Sequence, residues 1–440
     1  MPNPARGNKG SAMKRLQDAG TFLATLGAGR TVVLHSGFAE PARLARLLAE
    51  HSASLRGVHL LTLMPMGDAP YGGAVPTAQL DVATFFPGSG LRSALNAGRV
   101  RALRYPLSAI PVLFANNAMK ADVVLLQVSP PDDTGHVSLG VSVDYMRAVL
   151  AQSPTVVAEV NLRMPHTCGD THVHVSKIDW FIEATDAPQE LTLTNPDEVD
   201  EQVARHVAGL VSDGAVLQVG IGSLPDRVLA RLGHLKHLGL HSGIVTDAVR
   251  PLIEAGVIDN STKKLFPGVS VATMAGGTQA FYDFLQRNRE IEFHPCSLTH
   301  DAEVLAGIDG LCAINSALQV DLAGHVNAEE ADGRRISLPG GLPDFAVGAS
   351  RARAGISIVA LRASFGKGRV SNIVARFGEG VPVTVLPSAV DFIVTEYGVA
   401  PLRGVSDQDR AAALIAVAHP DHREFLQHEF ASMKRTESVP

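Results

Sequence analysis

Short apolar runs rich in β-branched residues alternate with helix-length segments along the whole chain, and this alternation limits the possible fold more than any other feature. The runs lie at residues 31–34, 58–63, 122–128, 155–160, 215–220, 311–317, 357–362 and 391–396. They lack a polar residue at every second position, which is typical of strands covered by helices on both faces of a sheet. The sequence therefore predicts an α/β protein with mostly parallel sheets.

Composition excludes several classes of protein. The 440 residues are 46% hydrophobic, enough for one large core or two ordinary ones. Lys and Arg number 38 against 44 Asp and Glu, so nucleic acid is not an expected partner. The three cysteines, Cys168, Cys296 and Cys312, lack CxxC spacing, which predicts neither a disulfide framework nor a metal site. We expect a cytoplasmic protein without a membrane helix, because no apolar run reaches the roughly 18 residues that a span needs.

A polar, proline-marked segment at 184–199 separates two halves, and we place the domain boundary between residues 196 and 197. Four short motifs recur in the same order on both sides of it. They lie at 126–128, 135–137, 155–160 and 176–182 in the first half, and at 318–320, 324–326, 357–362 and 388–394 in the second. This order predicts two similar α/β domains, 1–196 and 197–440, that arose from one duplicated unit.

Three glycine-containing loops are candidates for ligand binding. Gly220 and Gly222 lie between a strand and a helix, where backbone N–H groups could hold a phosphate or an oxyanion, or could form only a tight turn. The segment LPGGLPDF at 338–345 fits either a preorganised binding loop or a surface turn. In SFGKGRVSNIV at 364–374, Lys367 and Arg369 could bind a cofactor phosphate, although a solvated hairpin tip is the simpler interpretation.

A fourth segment, LGLHSGIVTDAV at 238–249, contains His241 and Asp247 at a spacing that defines no catalytic dyad. An isolated histidine in such a run is more often a structural residue than a base. The chain has no GxSxG, HExxH or P-loop motif, so standard serine hydrolase, metalloprotease and kinase functions are not predicted.

Taken together, the segments QVSPPDDTGHVSLGVSVDY, VVAEVNLRMPHTCGD, GIGSLPDRVL, INSALQVDLAGHV, PGGLPDF, VDFIVTEYGVAPLRG and AVAHPDHREFL are similar to one known family. They resemble the acetyl-CoA hydrolase/4-hydroxybutyrate CoA-transferase family of class I CoA-transferases, roughly over residues 19–430. The resemblance implies two similar α/β domains of the class I CoA-transferase (NagB/RpiA-like) architecture and a homodimer. It also implies acyl-CoA and an acyl or CoA acceptor as substrates, with coenzyme A bound mainly by the second domain.

The resemblance also implies roles for particular residues. Gly341 matches a backbone donor near the thioester, and Glu396 matches a glutamate near the active site. Ala317 or Leu318 lies near coenzyme A. The turn that contacts coenzyme A comprises Gly220, Ile221, Gly222, Ser223 and Leu224.

The family's nucleophile is a glutamate in a segment that reads roughly H-T-E-M-x-x-D-G, and it forms an acyl-glutamyl anhydride and then a glutamyl-CoA thioester. Here the segment begins His241-Ser242-Gly243, so a glycine occupies the nucleophile position. Ser242 is not a natural substitute, because consecutive side chains of an extended segment point to opposite faces.

Three functions remain open. The first is direct attack of an external amine, hydroxyl or water on the thioester, with His241, Glu396 or another pocket residue as the base. The second is ordinary CoA transfer that uses another carboxylate. The third is a catalytically silent protein that binds CoA thioesters.

Overall fold

The computed structural model describes residues 13–55, 57–73, 80–193, 197–366 and 368–437. Contacts between Cα atoms divide the chain into two compact units. Unit 1 comprises Met1–Thr192 and Val271–Leu298, and unit 2 comprises Leu193–Ser270 and Thr299–Pro440. The boundary predicted after residue 196 treats each domain as one continuous segment, and it does not anticipate the return of Val271–Leu298 to unit 1.

The main sheet of unit 1 has eight strands, and all its neighbouring pairs are parallel. Its order is β1-β8-β7-β6-β2-β3-β4-β5. The strands are β1 (Lys14–Arg15), β2 (Thr31–Leu34), β3 (Val58–Thr62), β4 (Leu80–Thr84), β5 (Arg101–Ala102), β6 (Val123–Val128), β7 (Thr155–Asn161) and β8 (Trp180–Ala184). All six residues of β6 are buried, as the uninterrupted apolar run predicts.

Helices and short strands complete unit 1. The helices are Ala19–Ala24, Ala42–Glu50, Arg92–Asn96, Ile110–Ala115, Met146–Ala151 and Gln279–Leu285. The short strands are His136–Ser138, Cys168–Gly169, His172–His174, Met274–Ala275 and Ile291–Phe293. The helix Ala42–Glu50 packs Leu44 and Leu48 into a core that also contains Leu34 and Leu60 of the sheet. An apolar helical face that covers the sheet explains why these strands carry no polar alternation.

The main sheet of unit 2 has six strands in the order β10-β9-β11-β12-β13-β14. They are β9 (Val216–Val219), β10 (Gly239–Leu240), β11 (Leu311–Ser316), β12 (Ile356–Ala360), β13 (Phe392–Thr395) and β14 (Gly398–Pro401). The first five in this order pair in parallel, and only the edge strand β14 is antiparallel to its neighbour. The carboxyl ends of β10, β9, β11, β12 and β13 therefore lie along one edge.

The helices that begin and end in unit 2 are Glu198–Ala208, Ser223–Ala230, Arg250–Glu254, Ala302–Ala306, Leu342–Arg351, Asp407–Ala416 and Pro420–Glu437. A further helix, Cys296–Thr299, and the strand Ser270–Ala272 lie where the chain passes between the units. The short strands are Ile244–Val245, Gln319–Asp321, Val326–Asn327, Glu330–Ala331, Arg334–Arg335, Ser364–Phe365, Val370–Ser371 and Ile373–Val374. Phe345 of the helix Leu342–Arg351 packs in a core with Val216 and Ala313 of the sheet.

The predicted fold class is confirmed: the structure is α/β and its two main sheets are mostly parallel. Each of the eight predicted runs forms a strand with ends within two residues of the prediction. The helix that follows the predicted domain boundary is Glu198–Ala208, and the Asp197 carboxylate accepts a hydrogen bond from the Asp200 N–H in its first turn. Across the described residues, no helix is long and apolar enough to cross a membrane.

Candidate active site

The predicted site residues gather at the carboxyl edge of the parallel sheet of unit 2. Gly220 follows β9, the segment 241–243 follows β10, and Leu318 comes two residues after β11. Glu396 follows β13 directly. Ligands of open parallel sheets bind beyond this edge, so the positions agree with a common site. Lys367 lies outside the described residues.

The glycine turn 220–224 joins β9 to the helix Ser223–Ala230. Gly220 donates its N–H to the Ile314 carbonyl at 3.2 Å, which fixes the start of the turn on the neighbouring strand. Gly222 has φ of +140°, a conformation that side-chain-bearing residues rarely adopt, and it caps the helix. The first N–H groups of a helix have no intrahelical partner, so this turn presents donors to an anionic group.

Ser242 joins the segment after β10 to the end of β9. Its hydroxyl lies 3.0 Å from the Val219 carbonyl oxygen and 2.8 Å from the Ile244 carbonyl oxygen, and it accepts a hydrogen bond from the Val219 N–H. The side chain is fully buried. These contacts hold the hydroxyl in the backbone network, which agrees with a structural role.

His241 is also fully buried, and its Nε2 lies 3.1 Å from the Thr299 carbonyl oxygen. This contact ties the end of β10 to the segment that contains Thr299. The ring has no exposed surface in the structure, and its proposed role as a base remains a prediction.

His300, which the sequence analysis did not select, lies beside the predicted nucleophile position. Its Nδ1 shares a hydrogen bond of 2.8 Å with the Thr299 hydroxyl, and its ring packs against Phe345 with centroids 4.7 Å apart. Its Nε2 has no hydrogen-bond partner among the described residues. Burial and, to a smaller extent, the nearby His241 ring lower the pKa of His300 to about 3, so the imidazole is neutral at physiological pH.

Two glycines lie against the His300 ring. A Cβ at Gly341 would lie 2.5 Å from Nε2 and 2.8 Å from Cδ2, and a Cβ at Gly243 would lie 3.0 Å from Nε2. Gly341 has φ of −91°, so its backbone does not require glycine, and the positive-φ glycines do not include Gly243. The ring itself therefore leaves no room for a side chain at Gly341 and very little at Gly243.

Gly341 also caps the helix Leu342–Arg351. The ten-residue helix has its N-terminal turn beside the ring, and the positive end of its dipole favours a negative charge there. A buried ring nitrogen without a partner thus lies next to a helix N-terminus, an arrangement suited to a carbonyl oxygen that gains negative charge.

Two carboxyl groups occupy the same edge of the sheet. The Glu396 carboxylate accepts a hydrogen bond from the Ala363 N–H at 2.8 Å, which links the ends of β13 and β12. Burial raises the pKa of Asp226 to about 6, against the opposing effect of a 2.8 Å hydrogen bond from the Thr246 hydroxyl. Asp226 was not selected from the sequence, because nothing in GIGSLPDRVL distinguishes it from a first-turn acid of a helix.

Sequence profiles of the N-terminal and C-terminal domains of acetyl-CoA hydrolase/transferase match residues 1–191 and 277–430. The chain therefore belongs to the acetyl-CoA hydrolase/transferase family. Family membership confirms the resemblance stated from the sequence motifs, and it confirms an enzyme of acyl-CoA transferase or hydrolase type whose substrates are CoA thioesters.

Particular relatives agree with this assignment. The chain is 38% identical over 399 residues to the 4-hydroxybutyrate coenzyme A transferase of Clostridium kluyveri, with 91% of this chain and 93% of that protein covered. RipA from Yersinia pestis has a similar structure, with a TM-score of 0.89, 28% identity and coverage of 96% and 98%. The 4-hydroxybutyrate CoA-transferase of Porphyromonas gingivalis gives a TM-score of 0.77, 32% identity and coverage of 95% and 98%.

Proposed function

We propose that this enzyme transfers or hydrolyses a short acyl group by direct attack of an external nucleophile on an acyl-CoA, without a glutamyl-CoA intermediate. The proposal rests on one observation. Position 243 carries no side chain, and the atoms nearest to where its Cβ would lie belong to the rings of His300 and Phe345. Covalent exchange of the family type needs a carboxylate at the carbonyl carbon, and Gly243 supplies none.

Backbone groups supply the remaining chemistry. The turn 220–224 binds coenzyme A, with Leu318 close to it, and Gly341 at its helix N-terminus donates an N–H to the thioester oxygen. The nucleophile attacks the carbonyl carbon, and the tetrahedral oxyanion collapses with cleavage of the C–S bond. The proton lost by the nucleophile ends on the CoA sulfur. One preorganised donor to such an oxyanion contributes roughly 10²–10³-fold in rate.

A second candidate function is ordinary CoA transfer between carboxylic acids with another carboxylate as the nucleophile. Glu396 and Asp226 favour it, since both lie at the carboxyl edge of the sheet. Glu396 is bound to the Ala363 N–H, and Asp226 is about half protonated near pH 6, which makes it a weaker nucleophile there. Asp226→Asn and Glu396→Gln test these two groups separately.

The central experiment makes three measurements on the same reaction. The purified protein is incubated with acetyl-CoA and longer acyl-CoAs, with and without labelled acetate, and thiol release, label exchange and protein mass are measured. Thiol release without a CoA adduct supports direct attack, and label exchange supports ordinary transfer. Tight binding with neither product indicates a silent CoA-thioester protein and contradicts the proposal.

A gain-of-function variant sharpens this test. Gly243→Glu alone brings its Cβ to 3.0 Å from the His300 Nε2, so the ring must move. The double variant Gly243→Glu/His300→Ala removes that contact and offers space for the carboxylate. We expect the double variant to acquire a glutamyl-CoA adduct and label exchange that the parent lacks. If neither the Gly243→Glu variant, which keeps His300, nor the double variant forms an adduct or exchanges label while folded and binding CoA, the assignment of position 243 is wrong. A homodimer and a cytoplasmic location remain predictions.

A further inference from the structure

The Nε2 atom of His300 is a buried polar atom that has no partner among the described residues. The residue is 1% exposed, and leaving such an atom unpaired costs roughly 1–3 kcal/mol. Proteins satisfy nearly all buried polar atoms, so an exception in a well-packed region requires an explanation. Here the atom faces two glycines, Gly243 and Gly341, which place no side chain against it.

We infer that His300 donates its Nε2–H to the thioester carbonyl of a bound acyl-CoA and so forms an oxyanion site together with the Gly341 N–H. This inference deepens the proposed function and rests on it. His300 occupies the space beside position 243, and the carbonyl oxygen of the substrate supplies the partner that Nε2 lacks. The helix that begins at Leu342 adds its dipole to the same position.

We assign the tautomer of His300 from its contact with the neighbouring Thr299 hydroxyl. Thr299 Oγ1 lies 2.8 Å from Nδ1, and we assign its proton to that hydrogen bond. Nδ1 then accepts, and the ring proton resides on Nε2, the nitrogen that faces the glycines. Thr299 is a positioning residue in this arrangement, because it fixes the ring without contacting the substrate.

Burial makes His300 better suited to donate a hydrogen bond than to remove a proton. The surroundings exclude the imidazolium form, and the pKa of about 3 keeps the ring neutral throughout the working pH range. A general base works best with a pKa close to the operating pH, which His300 does not have. A neutral imidazole can polarise a carbonyl through its N–H without changing its own charge.

The reaction balances without any further group. As the nucleophile adds, the carbonyl π electrons move onto the oxygen, which the Nε2–H and the Gly341 N–H stabilise. When the electrons return, the C–S bond breaks and the thiolate takes the proton that the nucleophile released. His300 therefore begins and ends the cycle with the same proton.

The test compares His300→Gln, which retains an N–H donor near the Nε2 position, with His300→Leu, which removes it. We expect His300→Leu to lower kcat/KM by roughly 10²–10³-fold, as loss of one oxyanion donor does. We expect His300→Gln to lose less than tenfold. Affinity for CoA itself, which lacks the carbonyl, should be unchanged in both. If His300→Gln is as inactive as His300→Leu, or if the parent accumulates an acylated His300, the ring acts as a base or nucleophile and the inference is wrong.

A spectroscopic measurement separates this inference from the proposed function. Acetyl-CoA with a ¹³C-labelled carbonyl is bound to each protein, and its C=O stretching band is recorded by infrared difference spectroscopy. A donor weakens the C=O bond, so the band should shift to lower frequency in the parent and in His300→Gln, and not in His300→Leu. The same band in all three proteins overturns the inference. If the band shifts in the parent but the parent shows no turnover, only the proposed function is contradicted. If no acyl-CoA binds, both the proposed function and the inference about His300 are contradicted.

Discussion

Two fully buried histidines, one in each unit, have opposite environments. In unit 1, His35 follows β2, and its Nε2 lies 2.7 Å from the Ser142 carbonyl oxygen. Its Nδ1 lies 3.0 Å from the Gln127 carbonyl oxygen and 3.3 Å from the Gln127 nitrogen. In unit 2, His300 has one ring nitrogen paired and the other unpaired among the described residues. Burial lowers the pKa of both rings, so both are neutral at physiological pH.

The difference separates a structural ring from one that we propose to donate a hydrogen bond to the substrate. His35 links the strand end of β2 to two other segments of unit 1, and both of its nitrogens contribute to that linkage. His300 gives one nitrogen to local structure and leaves the other beside two glycines. Burial and a lowered pKa are common to both, so the hydrogen-bond count, rather than the pKa, indicates which ring awaits a ligand.

The largest effect should appear when each ring is replaced by leucine and the free energy of unfolding is measured. His35→Leu leaves the Ser142 carbonyl and the Gln127 N–H without this partner, which should cost about 3 kcal/mol. His300→Leu removes an unpaired nitrogen, so its stability should change by less than about 1 kcal/mol. Denaturant titration measures both values. Equal losses in the two variants would contradict the distinction between the rings.

A second prediction concerns the two glycines beside His300. Gly341→Ala places a methyl group 2.5 Å from Nε2, so the ring must be displaced, and kcat should fall by about 10²-fold, equivalent to about 2.7 kcal/mol. Gly243→Ala makes a milder contact at 3.0 Å and should lose about tenfold. Gly333→Ala is a control for a glycine-to-alanine change away from the ring. No atom lies within 4 Å of its Cβ position, but its φ of +68° adds backbone strain. If Gly243→Ala loses as much kcat as Gly341→Ala, or more, then contact with the His300 ring does not explain why these two positions are glycine.

Much of the scaffold was predictable because the same local structures recur in the two units. In each unit an Asp-x-x-Gly-His turn follows the central strand, and its aspartate carboxylate accepts the histidine N–H at 2.9 Å. These turns are Asp132–His136 in unit 1 and Asp321–His325 in unit 2. Likewise, Asp179 and Asp391 each accept the N–H of the second residue of the neighbouring strand, at 2.9 and 2.7 Å. The hydrogen bonds within the two turns join residues four positions apart, and such local hydrogen bonds leave a clear signal in the sequence.

One repeated motif marks different strands in the two units. The first LQV lies within β6, whereas the second lies beyond β11, in the strand Gln319–Asp321. Three additional residues separate the first LQV from its Asp-x-x-Gly-His turn. An insertion between a strand and a turn shifts the LQV residues relative to the strand and leaves the turn unchanged. Matching LQV residues alone therefore did not locate the strand.

The candidate site was predictable only where backbone conformation determines it. The turn at Gly222 has a positive φ that requires glycine, and this requirement is visible in the sequence. His300 is 57 residues beyond Gly243, and its relation to that glycine depends on the packing of the ring against Phe345. The segment HPCSLTHDAE has no periodicity or motif that distinguishes His300, so only the three-dimensional structure reveals the contact.

A third prediction extends the comparison to buried carboxyl groups in unit 1. Burial raises the pKa of Glu159 to about 7, although Glu159 accepts hydrogen bonds from the N–H groups of Leu44 and Arg43. A carboxyl group whose pKa is raised in the folded state stabilises the fold while it is protonated. Its contribution to the free energy of unfolding is fully present below the model-peptide pKa near 4.5 and is lost as pH rises through about 7. Glu40, whose pKa burial also raises to about 7, contributes in the same direction.

The measurement is the thermal midpoint as a function of pH. From pH 6 to pH 8, titration of Glu159 and Glu40 should lower the free energy of unfolding of the parent by about 2 kcal/mol. The thermal midpoint should fall by a few degrees as a result. Glu159→Gln remains neutral and can still accept from both N–H groups, so part of this decline should disappear. Glu183→Gln, at an exposed ion pair with Arg15, should leave the slope unchanged. A parent-like slope in Glu159→Gln would show that Glu159 titrates in its ordinary range.

The smallest predicted effect tests whether Thr299 fixes the His300 tautomer. Thr299→Val retains the shape of the side chain but removes the hydroxyl to which we assign the proton of the hydrogen bond with Nδ1. A fraction of the rings should then carry the proton on Nδ1 and lose the Nε2 donor. We expect kcat to fall about threefold, equivalent to roughly 0.7 kcal/mol, and the shift of the bound C=O band to decrease. Thr299→Ser retains the hydroxyl and should behave like the parent. If Thr299→Val leaves both readouts unchanged, then the hydroxyl does not determine the tautomer, and the comparison with His35 must rest on the unpaired Nε2 alone.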